Sequence, residues 1–183
     1  MKKKTTLLTF LFVLIASISF VTNSCKKDDT SGPISDVNFY RQIGTTLIHC
    51  INDIYNQNLA GRPTGTQNIN VNGPMGGTVL ITGTDSYDNT HGITTTDLVL
   101  SMTNVSYTYS SEYSTTITLT GPITYTGSFS NSYTSINHQS ANLQITGSVT
   151  KDGTDRNIDM TGEVSINRSS SITVNIFGNI VTW

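Results

Sequence analysis

The residues best suited to chemistry lie in one polar stretch, TDSYDNTHGITTTD, at residues 84–97. It holds three carboxylates, Asp85, Asp88 and Asp97, beside the amide of Asn89. Oxygen ligands in a glycine-containing loop can hold Ca²⁺ in an extracellular protein. These aspartates are therefore candidate calcium ligands. Their spacing matches no EF-hand loop, and turns use Asp and Asn for their own geometry, so a plain turn is the alternative interpretation.

Tyrosines in the middle of the chain form a second candidate set. Tyr113 and Tyr133 fall in loop-like sequence, where exposed rings could stack on the faces of sugars. Tyr107, Tyr109 and Tyr125 instead fit strand positions, where aromatic residues are favoured for packing. Tyr113 and Tyr133 are accordingly the candidate ligand-binding residues.

Signs of catalysis are few. The histidines, His49, His91 and His138, are far apart in sequence and lack the paired spacing of a metal site. We interpret each as a surface or boundary residue. The chain has no G-x-S-x-G elbow, and its two glutamates, Glu112 and Glu163, leave acid–base work to aspartates in turns. The sequence predicts a protein that is not an enzyme and needs no cofactor, with a hydrolase of unseen site as the third hypothesis.

The N-terminal sequence predicts the cellular localisation of the protein. Lysines at positions 2–4 precede a nearly uncharged run at 7–21, and Ser24 and Cys25 follow it. This run is short for a membrane span and suits a signal sequence. The stretch resembles a Bacteroidota-type outer-membrane lipoprotein signal, in which the cysteine is acylated. Lys26, Lys27, Asp28 and Asp29 resemble the charged tract of surface-exposed lipoproteins.

That resemblance implies a removed signal at 1–24, a lipid on Cys25, and a tether at 25–35. It implies an outer-membrane location with the domain facing outward; a periplasm-facing domain is the alternative. An ordinary cleaved signal with an incidental cysteine and an uncleaved anchor helix are further alternatives.

The net charge limits the classes of binding partner, and the cysteine content predicts whether the chain forms a disulfide. From residue 25 onward the chain has seven basic and twelve acidic residues, a net charge of −5 with no basic stripe, so nucleic acid is excluded as a partner. If Cys25 carries lipid, Cys50 has no partner. We expect Cys50 to be a buried core residue and the chain to have no disulfide.

The elements that position these residues follow from hydrophobic periodicity. Phe39, Ile43, Leu47 and Ile54 recur three and four apart, which predicts a helix from about Asp36 to Asn58. Ser35 or Asp36 can cap its start, and Gly61 and Pro63 end it. From residue 68 onward the period is two, clearest in TITLTGPITYTGSF at 116–129, which predicts antiparallel strands separated by turns.

Glycines recur on the apolar side of these strands. The pattern Φ-x-Φ-T-G, with Φ apolar, occurs as VLITG, ITLTG, LQITG and IDMTG, and VNIFG resembles it. Such glycines either let a strand bend sharply or let another backbone, here that of the helix, approach closely. We therefore predict a mainly β domain over residues 36–183, with one N-terminal helix packed on a strongly curved antiparallel sheet, a half or full barrel.

Function is less specified than fold. The leading hypothesis is a lipid-anchored cell-envelope binding module for a lipid or other apolar ligand, or for a glycan. The alternative is a structural or assembly subunit of an outer-membrane or surface complex, whose strand edges pair with a partner protein. A carrier for an apolar ligand requires a cavity between helix and sheet.

Overall fold

The structure, a computed structural model, describes residues 34–132 and 134–183. The predicted signal peptide, Cys25 and Tyr133 lie outside these residues. The described chain forms one helix and eight strands: α1 (Asp36–Asn58), β1 (Gly65–Asn72), β2 (Thr78–Asp88), β3 (Ile93–Ser110), β4 (Ser114–Phe129), β5 (Thr134–Lys151), β6 (Thr154–Arg168), β7 (Ile172–Ile176) and β8 (Asn179–Thr182).

The predicted fold class is confirmed. The strands form one antiparallel sheet in chain order, β1 to β8, and β1 does not pair with β8, so the sheet is an open half barrel. Its two ends differ in width. Strand β2 pairs only with residues 93–103 of β3, and β7 only with residues 164–168 of β6. At one end of the sheet, here called the broad end, all eight strands lie side by side. Only β3 to β6 continue to the opposite end.

Helix α1 has the predicted bounds and fills the concave face of the sheet. The Ser35 hydroxyl accepts a hydrogen bond from the backbone N–H of Asn38, 3.4 Å away, and caps the first turn. Phe39, Ile43, Leu47 and Ile54 are at most 1 % exposed. Each contributes roughly 1.5–3 kcal/mol by leaving water. Within residues 34–132 and 134–183, no helix has the length and hydropathy to cross a membrane.

The strand glycines occupy positions that a residue with a side chain could not take. Gly127 and Gly147 have φ angles of +127° and +139°, which side chains rarely tolerate. A Cβ at either position would collide with a carbonyl oxygen of the neighbouring strand, that of Ser135 or Thr116. The backbone that approaches these glycines closely is therefore that of the neighbouring strand and not that of the helix.

The close approach of the helix, by contrast, does not depend on these strand glycines. It depends on Gly44 within α1, where a Cβ would lie 2.9 Å from Cγ1 of Val174. Gly178 also differs from the strand pattern, since it lies in the turn between β7 and β8.

Candidate functional site

A row of paired residues lines the rim of the broad end. Tyr87 pairs with Thr94, Thr94 with Phe129, and Phe129 with Thr134, across strands β2 to β5. Because alternate residues of a strand face the same side, these four share the concave face with the buried residues two positions further in. The buried apolar residues Phe39, Ile43, Leu47 and Ile54, here called the α1 stripe, do not cover them, since the helix ends near the rim.

A second row lies two residues further from the rim along each strand, with an acidic residue at one end and a basic residue at the other. It runs from Asp85 through Thr96, Gly127 and Ile136 to Arg168. Four strand spacings of about 4.8 Å would put its two ends on the order of 19 Å apart on a flat sheet, and curling shortens that distance.

The C-terminal part of α1 lies beside these rows, and a cleft remains between the helix end and the strands. Tyr55 is buried there, its ring edge-on to Tyr125 at 5.3 Å and to Phe129 at 5.7 Å between centroids. The cleft has a volume of about 410 Å³. Its lining residues come from the helix end, the following loop and three strands: Tyr55, Asn56, Leu59, Ala60, Gly61, Arg62, Thr64, Asp85, Tyr87, Thr94 and Phe129.

Two further cavities continue the cleft along the rim. A smaller one, about 120 Å³, shares Tyr55, Asn56 and Phe129 with the cleft and adds Asn52, Tyr125, Thr134, Ile136 and Arg168. The next shares Thr134 and is lined by serine and asparagine of the β4–β5 and β6–β7 turns. We call the three together the rim groove.

Asp85 supplies a carboxylate to the larger cleft. It is 4 % exposed, and its Oδ1 accepts hydrogen bonds from Nε2 of Gln67 at 2.8 Å and from the backbone N–H of Gly65 at 3.3 Å. These donors are neutral, so the negative charge stays in the cleft. Burial raises the pKa of Tyr55, and the nearby charge of Asp85 raises it further. The Tyr55 hydroxyl is therefore protonated at neutral pH and can donate a hydrogen bond.

Arg168 supplies the opposite charge to the smaller cavity. It is half-buried at the end of β6, and its Nη1 donates a hydrogen bond to Oδ1 of Asn52 at 2.9 Å. Asn52 holds the guanidinium in place without neutralising it. Arg168 was not singled out by the sequence, and neither were Tyr55 and Phe129. The two-residue period of the strands was a signal that could have identified Phe129 and Arg168 as residues of the concave face.

His138 lies directly beneath the groove, and its expected position at a surface or boundary is wrong. It is fully buried in β5, with its ring 4.9 Å from that of Tyr125, and neither ring nitrogen meets a hydrogen-bond partner among the described side chains and backbone. Burial lowers the pKa of His138 to about 3, and the charge of Arg168 adds to that shift. The ring is therefore neutral.

The three calcium candidates do not converge. Asp85 faces the concave side, whereas Asp97 is exposed on β3 beside Thr96, which pairs with Asp85. Asp88 holds its own turn: it accepts a hydrogen bond from the backbone N–H of Thr90 at 2.8 Å. Among residues 34–132 and 134–183, no three histidine, cysteine or acidic side chains cluster as metal ligands do. The alternative interpretation, a turn, accounts for Asp88.

Asp88 also interacts with a histidine of the same turn. Its Oδ2 lies 2.6 Å from Nδ1 of His91, and both side chains are exposed. The hydrogen bond with His91 lowers the pKa of Asp88, and that from Thr90 lowers it further.

Tyr113 is not free to stack on a sugar. Its side chain is buried, and the Lys151 ammonium lies over its ring, 4.8 Å from the centroid. The same Lys151 donates a hydrogen bond to Glu112 at 2.6 Å. The other tyrosine candidate, Tyr133, lies outside the described residues, as does the lipidation candidate Cys25.

Cys50 and His49 complete the titratable groups that the sequence singled out. Cys50 is fully buried as expected, and burial, followed by the charge of Asp53, raises the pKa of its thiol to about 12. His49 stacks on Tyr109 with ring centroids 4.1 Å apart. Neither residue lines the groove.

Comparisons with known proteins add no relative: no protein family, no curated protein and no solved structure matches this chain.

Proposed function

We propose that the protein is a cell-envelope binding module and that its ligand is a glycan held in the rim groove. The observation that carries the proposal is the composition of the groove wall. The half-exposed ring of Tyr87, the ring of Phe129 and the edge of buried Tyr55 line it together with hydrogen-bonding groups such as Asn56 and Thr94. A sugar ring has apolar faces that pack on aromatic rings and hydroxyl groups at its edge that need polar partners.

The filled core favours a glycan over a lipid. The α1 stripe occupies the concave face where an acyl chain would have to lie, and Phe39, Ile43 and Leu47 are closed to water there. The groove instead lies at the end of the sheet, where hydroxyl and amide groups interrupt its apolar surface. An acyl chain would leave those groups without hydrogen bonds, and each loss is costly.

The proposed location rests on the signal-like N-terminus. A lipid on Cys25 would anchor the chain in the outer membrane, and the tether would let the domain face outward. Glycans are abundant at such a surface, so the location and the groove favour the same class of ligand.

Binding measurements on the purified protein with immobilised neutral and acidic oligosaccharides test the proposal. Tyr87→Ala removes a half-exposed ring from the rim and leaves the core intact. We expect an affinity loss of about tenfold, which corresponds to about 1.4 kcal/mol.

Leu80→Ala is the matched control, because Leu80 is similarly exposed on the same strand but faces away from the groove. It should bind as the unaltered protein does. Equal binding by the Tyr87 and Leu80 variants, or no binding of any oligosaccharide, would refute the proposal.

One observation favours the assembly role as a second candidate. Strand β8 pairs only with β7 among the described strands, and Ile180 on it is 69 % exposed. An edge strand with an exposed apolar residue can accept a strand from a partner. A photo-crosslinker at position 180 should then form one discrete adduct in intact cells, and a crosslinker at position 80 should form none.

A further inference from the structure

We propose that the glycan is acidic and that Arg168 binds its anionic group, a carboxylate or a sulfate, in the smaller cavity of the rim groove. The inference rests on the proposed function and names the class of sugar that the groove selects.

The charge of Arg168 has no counter-charge in the part of the chain that the structure describes. No carboxylate of residues 34–132 and 134–183 lies within ion-pair distance of its guanidinium. Elsewhere, Lys151 pairs with Glu112 and Arg156 with Asp36, whereas the guanidinium of half-buried Arg41 lies 6.0 Å from the centroid of the Trp183 ring. A half-buried cation without a counter-ion is unfavourable, and a bound anion would relieve that cost.

The geometry of the Arg168 guanidinium also suits an anion. Arginine has five N–H donors in a planar fork, and the hydrogen bond to Asn52 uses one terminal nitrogen. The remaining donors can meet two oxygens of one anion, which is the arrangement that arginine forms with carboxylates and oxyanions. The cavity beside it, about 120 Å³, has room for such a group.

The groove has its negative and positive charges in different cavities. Asp85 lies in the larger cleft, where its carboxylate would repel an anion, while Arg168 lies in the adjoining cavity. A ligand can therefore place a sugar ring against Tyr55 and Phe129, which line both spaces, with its anionic group toward Arg168 and its hydroxyls toward Asp85. Arg62 also lines the cleft, but it is exposed, so water screens its charge.

The experiment compares three probes that differ in one group: methyl glucuronide, methyl glucoside 6-sulfate and methyl glucoside. Binding to the purified protein is measured by titration. We expect an anionic probe to bind at least about tenfold more tightly than the neutral one. The stronger of the two anionic probes identifies the group as carboxylate or sulfate. Raising the ionic strength to about 0.5 M should weaken the anionic probe selectively, since salt screens charges.

Variants assign the preference to a residue. Arg168→Gln should bring the affinity for the anionic probe to within about twofold of that for the neutral probe. Lys151→Gln, a control of equal charge change outside the groove, should keep the preference. Should Arg168→Gln not fold, Arg168→Lys retains the charge without the fork and should lower the preference only in part.

The outcomes separate this inference from the proposed function. Equal affinity for acidic and neutral probes would overturn the inference and leave glycan binding intact. A preference that is lost in Arg62→Gln and kept in Arg168→Gln would overturn it too. Failure of every probe and every immobilised oligosaccharide to bind would overturn both.

Discussion

His138 is fully buried in the core, so its protonation is coupled to folding. Burial and the charge of Arg168 hold its pKa at about 3, although the backbone of Thr124 slightly opposes the shift. In the unfolded chain the pKa is about 6.5. The stability that comes from the neutral ring is therefore fully present above about pH 6.5. It is lost as the pH falls toward 3, because the unfolded chain takes up a proton that the folded protein excludes.

We predict that His138→Leu makes stability less sensitive to acid. Between pH 7 and pH 4.5 the unaltered protein should lose about 2 kcal/mol more of its free energy of unfolding than the variant does. At pH 7 the variant should be as stable or slightly more stable, since leucine leaves no ring nitrogen unpaired. Urea unfolding at both pH values measures this.

His91→Leu is the control, because His91 is exposed in a turn. Parallel loss of stability in the His138 variant and the unaltered protein would show that His138 does not carry the effect.

Sequence reasoning misplaced single residues where local polarity outweighed strand parity. His138 lies in the polar segment INHQS, which favours a loop, yet Ile136 and His138 alternate onto the inner face of β5. Tyr113 also lies beside polar residues, but the ammonium of Lys151, 38 residues away in sequence, covers its ring. A contact of that kind depends on the pairing of distant strands, which the local sequence does not specify.

At the scale of the elements, the glycines explain why an open sheet curls around one helix. Gly147 shows both reasons for a glycine: a φ of +139° and a neighbouring carbonyl oxygen, that of Thr116, in the place of a Cβ. Gly153, in the hairpin turn after β5, shows only the first, since its φ is +76° and nothing lies near the added carbon.

We predict that Gly147→Ala destabilises the protein far more than Gly153→Ala. The turn variant should lose about 1 kcal/mol, the cost of a left-handed backbone at one residue. The strand variant adds a steric collision that only movement of β4 can relieve, so its loss should exceed about 3 kcal/mol. Thermal and urea unfolding compare the two. Similar losses would contradict the role of Gly147 in bending the sheet.

The elements themselves were predictable because their signals are local. The spacing of Phe39, Ile43 and Leu47, together with Ser35 as the cap, specified the helix, and alternation specified the strands. The groove was not predictable, because it depends on register. Asp85 and Arg168 are 83 residues apart in sequence, and they lie at the two ends of one row only because four strand pairings connect them.

At the scale of the whole molecule, the core and the proposed site are separate. The helix stripe fills the concave face and leaves the groove to the broad end of the sheet, where α1 stops. Changes on the rim, such as Tyr87→Ala, should therefore alter binding with little effect on stability.

The proposed anchor predicts where the whole molecule is found. Cys25→Ser removes the thiol that would be acylated, so the protein should no longer incorporate radiolabelled palmitate and should leave the membrane fraction. Cys50→Ser is the control, and it should remain labelled and membrane-bound if it folds. Labelling of the Cys25 variant would contradict lipidation at this residue.

The central claim is that the rim groove is the binding site, and a nuclear magnetic resonance titration of the labelled protein with an acidic oligosaccharide tests it most directly. We expect the largest shifts at Tyr55, Tyr87, Phe129 and Arg168, with the signals of the α1 stripe nearly unchanged. Shifts centred on the β8 edge around Ile180, or on the outer face of the sheet, would place the site elsewhere and contradict the account.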